Sequence, residues 1–278
     1  MFIAKILVPL DGSPCDEVAL ISAIRTARPF CAHVSAVYVH LDPGKIAPLA
    51  VPLSGEVMMA ILEGNAKVYA DIARQIREMI ARICLSEGAI AAEDRSSDHV
   101  TISFCEALGH PPQVLGAMAS LSDLLVSAAC TQPAPRFDIA VAALLSGKCP
   151  VLILPRPSDE FRKIVIGWND SVVAAHSLSA AMPFLKKADA IELVCLAYPH
   201  QPQAKIESAV SYLRSNGLVC SAIHVRQIVG SAQHALGDFA VERGADLLVA
   251  GGFGHSRMAE TLFGGVTNDF LFHPRLPV

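Results

Sequence analysis

The sequence lacks several features that mark whole classes of protein. Only 17% of its 278 residues are charged and the net charge is −4, so it has no basic stretch of the kind that binds nucleic-acid phosphates. No apolar run approaches the roughly 20 residues that a membrane-spanning helix needs. The longer runs, such as 139–145, have the length of a core segment. We therefore expect neither a nucleic acid nor a membrane as partner.

The cysteines and the start of the chain exclude further classes. The eight cysteines form no Cys-x-x-Cys pair, and no histidine stands near them at the spacing of a metal site. We interpret them as buried reduced thiols and expect no metal site. No secretory leader precedes the first apolar segment, which favours a cytoplasmic location. Hydrophobic residues make up 53% of the chain, which is ample for packed cores.

Catalytic motifs are also missing. The sequence has no Walker-type lysine, no Ser-His-Asp order and no paired carboxylates, and its ten histidines are scattered. None of these patterns predicts a nucleophile or a general base. We therefore assign no catalytic residue.

The sequence does contain a long internal repeat. Residues 5–13 are echoed by 163–171, each an apolar segment followed by Asp or Asn and then by a serine. Ser13 and Ser171 are typical helix N-caps, and Asp16 stands where a capping box has its acid. Because the period is far longer than that of solenoid repeats, the repeat predicts two complete domains.

A second pair of segments supports this organisation. Residues 109–126 and 230–249 each run from a glycine-led helix into Ser-Asp-Leu-Leu-Val or Ala-Asp-Leu-Leu-Val. Alternating strand-length and helix-length segments are typical of a parallel sheet with helices on both faces. We predict an α/β protein of two tandem doubly wound, Rossmann-like domains, 1–157 and 158–278, divided at a proline-rich linker. In the first copy the predicted strands are 5–10, 33–39, 122–127 and 150–154, and the first predicted helix is 14–28.

The two copies differ in ways that bear on function. The first has a proline-containing loop, 42–54, and then a long helix with an apolar stripe, which predicts core packing, with a partner groove as the alternative. That stripe consists of Tyr69, Ile72, Ile76, Ile80 and Ile83, and the spaced arginines Arg74, Arg77 and Arg82 predict a solvated face. The first copy has no glycine between its 122–127 strand and Gly147, so it lacks a phosphate-binding turn. In the second copy the given sequence stops at Val278, and we expect its last strand to be truncated there.

The second copy carries a glycine run directly after its apolar segment 247–250. Gly251 and Gly254 are followed by Gly264 and Gly265, and then by Val266 and Thr267. Glycines let backbone amides approach an anion closely, and the end of a parallel strand is the usual place for a nucleotide phosphate. Glycine turns that bind nothing are the alternative interpretation.

Residues 251–257 followed by 262–267 resemble the nucleotide-binding signature of the universal stress protein family: Gly, two residues, Gly, nine residues, Gly, then Ser or Thr. Gly265 departs from this signature, because the ATP binders of the family usually carry a hydroxyl residue there, and Thr267 offers one two residues later. The resemblance covers both halves of the chain. It implies a tandem member with the adenine-nucleotide α-hydrolase-like fold, in which the second domain carries the motif and the first is degenerate.

The resemblance also implies a ligand, which is ATP or a related adenine nucleotide, with Mg²⁺ as a candidate companion ion. It implies that Gly167 and Asn169 meet the base and ribose, that Leu196 lines the adenine slot, and that the glycine run surrounds the phosphates. Asn169 stands where the family usually has Asp, and simple helix-entry turn chemistry is its alternative role. The full candidate set is Gly167, Asn169, Leu196, Ala250, Gly251, Gly254, His255, Arg257, Gly264, Gly265, Val266 and Thr267.

These expectations describe a cytoplasmic stress-response switch, in which nucleotide occupancy changes a surface that an unknown protein partner recognises. One alternative is an interaction scaffold that has lost nucleotide binding. Another is a slow ATPase, which depends on His255 and Arg257 and on fold analogy. A homodimer and an intramolecular pseudo-dimer of the two domains both remain open.

Overall fold

The computed structural model describes residues 2–41, 55–129, 136–158, 160–197, 205–227, 232–251 and 274–278. Strands and helices alternate throughout these ranges. The first half contains β1 (Lys5–Leu10), α1 (Cys15–Ala27), a 3₁₀ turn (Arg28–Phe30), β2 (His33–His40), α2 (Gly55–Glu87), β3 (Ile90–Ala91), β4 (Thr101–Leu108), α3 (Pro111–Ala119), β5 (Leu124–Ala128), α4 (Arg136–Leu145) and β6 (Val151–Leu154). The second contains β7 (Lys163–Trp168), α5 (Val172–Ala180), α6 (Met182–Leu185), β8 (Ala190–Ala197), α7 (Ile206–Ser215), β9 (Ala222–Gln227), α8 (Ala232–Glu242) and β10 (Leu247–Val249).

The strands form two sheets. One has the order β3-β4-β2-β1-β5-β6 and the other the order β10-β7-β8-β9. The described registers, which join β1 to β2 and β5, β4 to β2 and β3, β7 to β8 and β10, and β8 to β9, are all parallel. The predicted α/β class with alternating helices is therefore confirmed. The strand order reverses beside β1 in the first sheet and beside β7 in the second.

The chain divides into two compact units. The first is built from Ile3–Ala128 with the described part of 134–151, and the second from Leu152–Val278 with the described parts of Met1–Phe2 and Ala129–Pro133. This division lies inside β6, a few residues before the boundary predicted between 157 and 158, which remains a prediction. The loop 42–54 lies outside the described residues.

The apolar stripe of α2 belongs to the core of the first unit. Ile76, Ile80 and Ile83 are buried, and Tyr69 stacks on His40 with ring centroids 5.0 Å apart. The core interpretation is confirmed for these residues. Arg74, Arg77 and Arg82 are exposed on the other side of the helix, as predicted.

The two predicted caps have different outcomes. Ser171 caps α5, because its hydroxyl accepts a hydrogen bond from the Ala174 backbone at 3.2 Å. Ser13 does not cap α1 with its side chain, and this prediction is wrong. Its hydroxyl instead accepts a hydrogen bond from Arg136 at 3.0 Å.

The cysteines do not all match the interpretation as buried reduced thiols. Cys149 and Cys195 are free and buried, but Cys105 is free and exposed, and Cys15 takes part in a disulfide. The interpretation is wrong for Cys15 and Cys105, because sequence spacing shows neither burial nor the approach of a distant thiol. Cys130 is outside the described ranges.

The last residues of the chain pair on both sides. The Leu248 N–H donates to the Pro277 carbonyl at 2.9 Å, and Ile153 exchanges two backbone hydrogen bonds with Val278, of 2.8 and 3.0 Å. A residue pair that exchanges both bonds is the hydrogen-bonded pair of an antiparallel ladder. Leu276 is buried in the same core cluster as Val165. The segment that was expected to be a truncated strand therefore pairs beside β10 as a strand does.

The repeated Asp-Leu-Leu-Val motif has a defined role in each unit. One oxygen of Asp123 accepts hydrogen bonds from the backbone N–H groups of Ala4 and Lys5, at 2.8 and 3.0 Å. Asp246 does the same with Arg162 and Lys163, at 3.1 and 2.7 Å. Each carboxylate thus holds the start of the central strand beside the start of its neighbour.

A second carboxylate, Glu192, is buried at the amino end of the second sheet, with 4% of its side chain exposed. Lys163 and His224 contact it at 3.0 Å each, and Arg243 binds it with two bonds of 2.8 and 3.0 Å. These hydrogen bonds, above all those from Arg243, lower its pKa to about 2 although burial opposes the shift. The cluster therefore stabilises the ionised carboxylate.

We expect Asp123→Ala to lower the free energy of unfolding by about 2 kcal/mol, because two partly buried N–H groups lose a charged acceptor. Asp246→Ala should lower it by about 1 kcal/mol, because only one of its two N–H partners is partly buried. Chemical denaturation measures this change. Asp71→Ala, which removes an exposed carboxylate on α2, is the matched control and should leave stability nearly unchanged. Equal effects of all three substitutions would contradict the proposed role of Asp123 and Asp246 in holding the strand starts together.

The Glu192 cluster predicts a loss of stability in acid. A carboxyl group whose pKa is lower in the folded state stabilises the fold fully above its ordinary value of 4.5, and this contribution is lost as the pH falls towards 2. The loss should amount to at most about 3 kcal/mol. Urea denaturation between pH 6 and pH 2 measures it. Glu192→Gln should flatten this part of the pH profile, whereas Glu78→Gln, on the exposed face of α2, should not.

Candidate functional site

Five of the predicted ligand residues lie at one edge of the second sheet. Gly167 is near the end of β7, Asn169 follows it, Leu196 is near the end of β8, and Ala250 and Gly251 follow β10. The register pairs Val249 with Ile166 and Trp168 with Cys195, so the carboxyl ends of three neighbouring strands meet there. The strand order reverses at this point, which is where doubly wound folds bind ligands.

The remaining predicted residues lie outside the described part of the chain. These are Gly254, His255, Arg257, Gly264, Gly265, Val266 and Thr267. The glycine signature and its contacts therefore stay a prediction.

Gly251 has a packing role that needs no ligand. A Cβ at this position would lie 3.0 Å from the Ala174 nitrogen and 3.1 Å from the Val173 carbonyl carbon. Both are backbone atoms of α5, which cannot move aside cheaply. The missing side chain thus lets the end of β10 lie directly against the first turn of α5.

Asn169 also has a role within the fold. Its side-chain oxygen accepts from the Ser171 N–H at 3.2 Å and from the Ser171 hydroxyl at 2.6 Å. Asp170 between them has φ 59°, a left-handed conformation that Asp tolerates better than most residues. Helix-entry turn chemistry, the alternative that the sequence left open, accounts for these contacts.

The other side chains make the edge partly apolar. Leu196 and Ala250 are half-buried against the core cluster of the second unit. A Cβ on Gly167 would meet both methyl groups of Leu236 at 3.1 Å. The Trp168 ring is buried, and its Nε1–H donates to the Lys205 carbonyl at 3.0 Å. The edge therefore offers aliphatic surface beside a polar turn, as a nucleoside site requires.

The same edge of the first unit holds a charged cluster that the sequence analysis missed. Asp11 follows β1 as Asn169 follows β7, and it accepts the Ser13 N–H at 2.9 Å. Gly12 has φ 83°, like the left-handed Asp170 of the second unit. Asp16 on α1 accepts the Gly12 N–H at 2.7 Å and the Asp11 N–H at 3.1 Å. The turn after the central strand is thus repeated, but with two carboxylates in place of one amide.

Arg136, the first residue of α4, binds this turn from across the edge of the sheet. It donates to both oxygens of Asp11, at 2.8 and 3.1 Å, to the Ser13 hydroxyl at 3.0 Å and to Asp16. Only 9% of its side chain is exposed. Its Nη1 atom is buried and has no hydrogen-bond partner.

Arg136 and burial act on the two carboxylates with different results. Burial, together with repulsion from Asp11, raises the pKa of Asp16 to about 6 against the attraction of Arg136. Burial also opposes ionisation of Asp11, but the charge and hydrogen bonds of Arg136 keep the pKa of Asp11 below its usual value. The guanidinium therefore contacts a half-buried carboxylate, Asp11, whose ionised form it stabilises, and a buried one, Asp16, whose ionisation burial opposes.

Helix α2 covers the same edge of the first unit. Ile72 lies so close to Gly12 that a Cβ there would meet its Cγ2 atom at 2.7 Å, and Tyr69 stacks on His40 at the end of β2. Burial raises the pKa of the neighbouring Tyr38 to about 12. The site is therefore enclosed by α2 on one side and by Arg136 on the other.

Two further kinds of feature are absent from the described ranges. No group of three or more His, Cys, Asp or Glu side chains suited to a metal ion occurs there. Among the described helices, none combines the length and the apolar character needed to cross a membrane.

We expect Gly251→Ala to destabilise the protein by about 2 kcal/mol, because its Cβ forces backbone atoms apart. Gly64→Ala is the matched control, since a Cβ on Gly64 in α2 would meet nothing within 4 Å. That substitution should instead raise stability by up to about 1 kcal/mol through helix propensity. Thermal melts of the two variants should shift in opposite directions, and a harmless Gly251→Ala would contradict the packing role.

Comparison with known proteins relates the fold to solved structures. No protein-family model and no curated protein matches the chain. A universal stress protein from Archaeoglobus fulgidus DSM 4304 is similar, with a TM-score of 0.70 and 13% identity, over 99% of this chain and 94% of that one. A functionally unknown protein from Pseudomonas aeruginosa PAO1 gives a TM-score of 0.57 and 14% identity, over 99% and 91% of the two chains. Throughout its length, the chain has the fold of a universal stress protein.

Proposed function

We propose that the chain is a tandem universal stress protein whose second unit binds ATP or a related adenine nucleotide. The observation that carries this proposal is the meeting of Gly167, Asn169, Leu196 and Ala250 at the edge where the strand order reverses, directly before the glycine run. The edge joins aliphatic surface, suited to a base, to a turn with hydrogen-bonding groups, suited to a ribose.

The glycine run supplies the phosphate site in this proposal. Gly251, Gly254, Gly264, Gly265, Val266 and Thr267 offer backbone N–H groups, and Thr267 adds a hydroxyl. His255 and Arg257 are the cations of the run. Mg²⁺ would screen the remaining phosphate charge.

The chemical action of the site is binding rather than turnover. We assign no catalytic residue, so occupancy acts as a signal in a cytoplasmic stress response that a protein partner reads. The strongest enzymatic activity that we propose for this site is weak ATP hydrolysis. Pairing of two chains, or of the two halves of one chain, is part of the same proposal.

An interaction scaffold that binds no nucleotide is the second candidate. The packing of Gly251 on α5 and the bonds of Asn169 to Ser171 favour it, because both residues are accounted for without a ligand. Gly265, in place of a hydroxyl residue, favours it as well.

Nucleotide binding separates the two candidates. We expect native protein to release an adenine nucleotide, detected by mass spectrometry, or to bind ATP with Mg²⁺ in calorimetry. Ligand at 100 times its dissociation constant stabilises a protein by about 2.7 kcal/mol, so thermal melts should also respond. Native protein that stays empty and shows no response at millimolar ATP would overturn the proposal in favour of the scaffold.

A pair of variants tests where the nucleotide binds. Gly254→Asp puts a carboxylate into the glycine run and should weaken ATP binding at least tenfold through repulsion of the phosphates. Gly64→Asp makes the same change on α2, where the position faces open space, and should bind like native protein. Equal affinity of the two variants would contradict a phosphate site in the second unit.

A further inference from the structure

The turn that follows the central strand occurs in both units, but its side chains are bonded differently in the two. In the second unit, Asn169 and Ser171 bond to each other, and Ser171 also accepts the Ala174 N–H. In the first unit, the corresponding Asp11 and Ser13 side chains bond to the Arg136 guanidinium. The described residues of the second unit contain no arginine bound to its turn in this way.

Arg136 occupies this edge as a bound molecule would. Its guanidinium forms a two-bond fork with Asp11, a third bond with Ser13 and an ion pair with Asp16. The guanidinium takes up the acceptor groups that a polar ligand at the end of β1 would use. The planar, two-bond contact of a guanidinium with a carboxylate is also among the strongest hydrogen-bonded contacts that a side chain makes at neutral pH.

The guanidinium is held there although one of its donors stays unsatisfied. Nη1 is buried without a hydrogen-bond partner, and 91% of the side chain is inaccessible to solvent. A purely structural arginine usually satisfies its buried donors, because an unpaired one is costly. The orphaned nitrogen instead indicates that Arg136 fills a polar space that it does not fully match.

We propose that Arg136 is an internal ligand of the first unit, which fills the strand-end site and closes it to nucleotide. Helix α2 completes the closure through the contact of Ile72 with Gly12. This inference rests on the function proposed above, and it leaves the second unit as the half of the chain that responds to nucleotide. The first unit keeps one conformation whether nucleotide is present or absent.

The first test is chemical rescue. Arg136→Ala removes the guanidinium from the buried Asp16 and the half-buried Asp11 carboxylates, so its melting temperature should fall well below that of native protein. Methylguanidinium should restore most of this loss, since a ligand at ten times its dissociation constant raises the folding equilibrium constant about tenfold. Methylammonium at the same concentration, which has the charge but not the fork, should restore much less.

Arg82→Ala is the matched control for rescue. Arg82 also binds a carboxylate, Glu17, through two bonds of 3.0 and 3.1 Å, but 61% of its side chain is exposed. Its removal should change the melting temperature little, and methylguanidinium should have no specific effect on it. An Arg136→Ala variant that folds but gains no more from methylguanidinium than from methylammonium would overturn the proposal.

A second test uses native protein and does not depend on the folding of a variant. A photoreactive azido-ATP is cross-linked, and the labelled peptides are mapped. Label confined to the second unit supports the closed first site, and label on the peptides that carry Asp11 or Arg136 overturns it. Native protein without label in either unit would contradict the proposed function, while the unlabelled first unit would still agree with the closure by Arg136.

Discussion

Each half of the molecule depends on the pairing of its central strand with the strand on the far side of the order reversal. The two strands are distant in sequence, so a carboxylate fastens their starts together: Asp123 holds β1 beside β5, and Asp246 holds β7 beside β10. With the starts fixed, the parallel register determines where the strands end. The position of the edge that carries the candidate site is therefore determined by contacts at the opposite end of the sheet.

The sequence predicted this framework because its signals are local. Apolar segments, serine caps and repeated motifs are read over a few residues, and the predicted strands and first helix of the first half agree with the observed ones to within two residues. The tendency of ligand residues to gather at the ends of parallel strands is general. For this reason the sequence alone could group Gly167 and Asn169 with Ala250, whereas Leu196 was assigned to the site by the family resemblance.

Other features were beyond the reach of local signals. Arg136 is far along the chain from Asp11 and Asp16, and nothing in its neighbourhood marks it as their partner. Gly251 resembles a phosphate-binding glycine in sequence, yet its small size is also required by the backbone of α5. The hydroxyl of Ser13 accepts a hydrogen bond from Arg136 instead of capping its own helix. In each case tertiary contact decided between roles that the sequence allowed equally.

The hydrogen bonds between Ile153 and Val278 have a consequence for the synthesis of the protein on the ribosome. The ribosome synthesises β6 long before Val278. The backbone groups of Ile153 therefore lack their partner in Val278 until the rest of the second unit has been synthesised. An unpaired strand edge invites pairing with other chains, and nascent domains with such edges are prone to misassembly. The speed of translation between β6 and Val278 thus sets how long this edge stays unpaired.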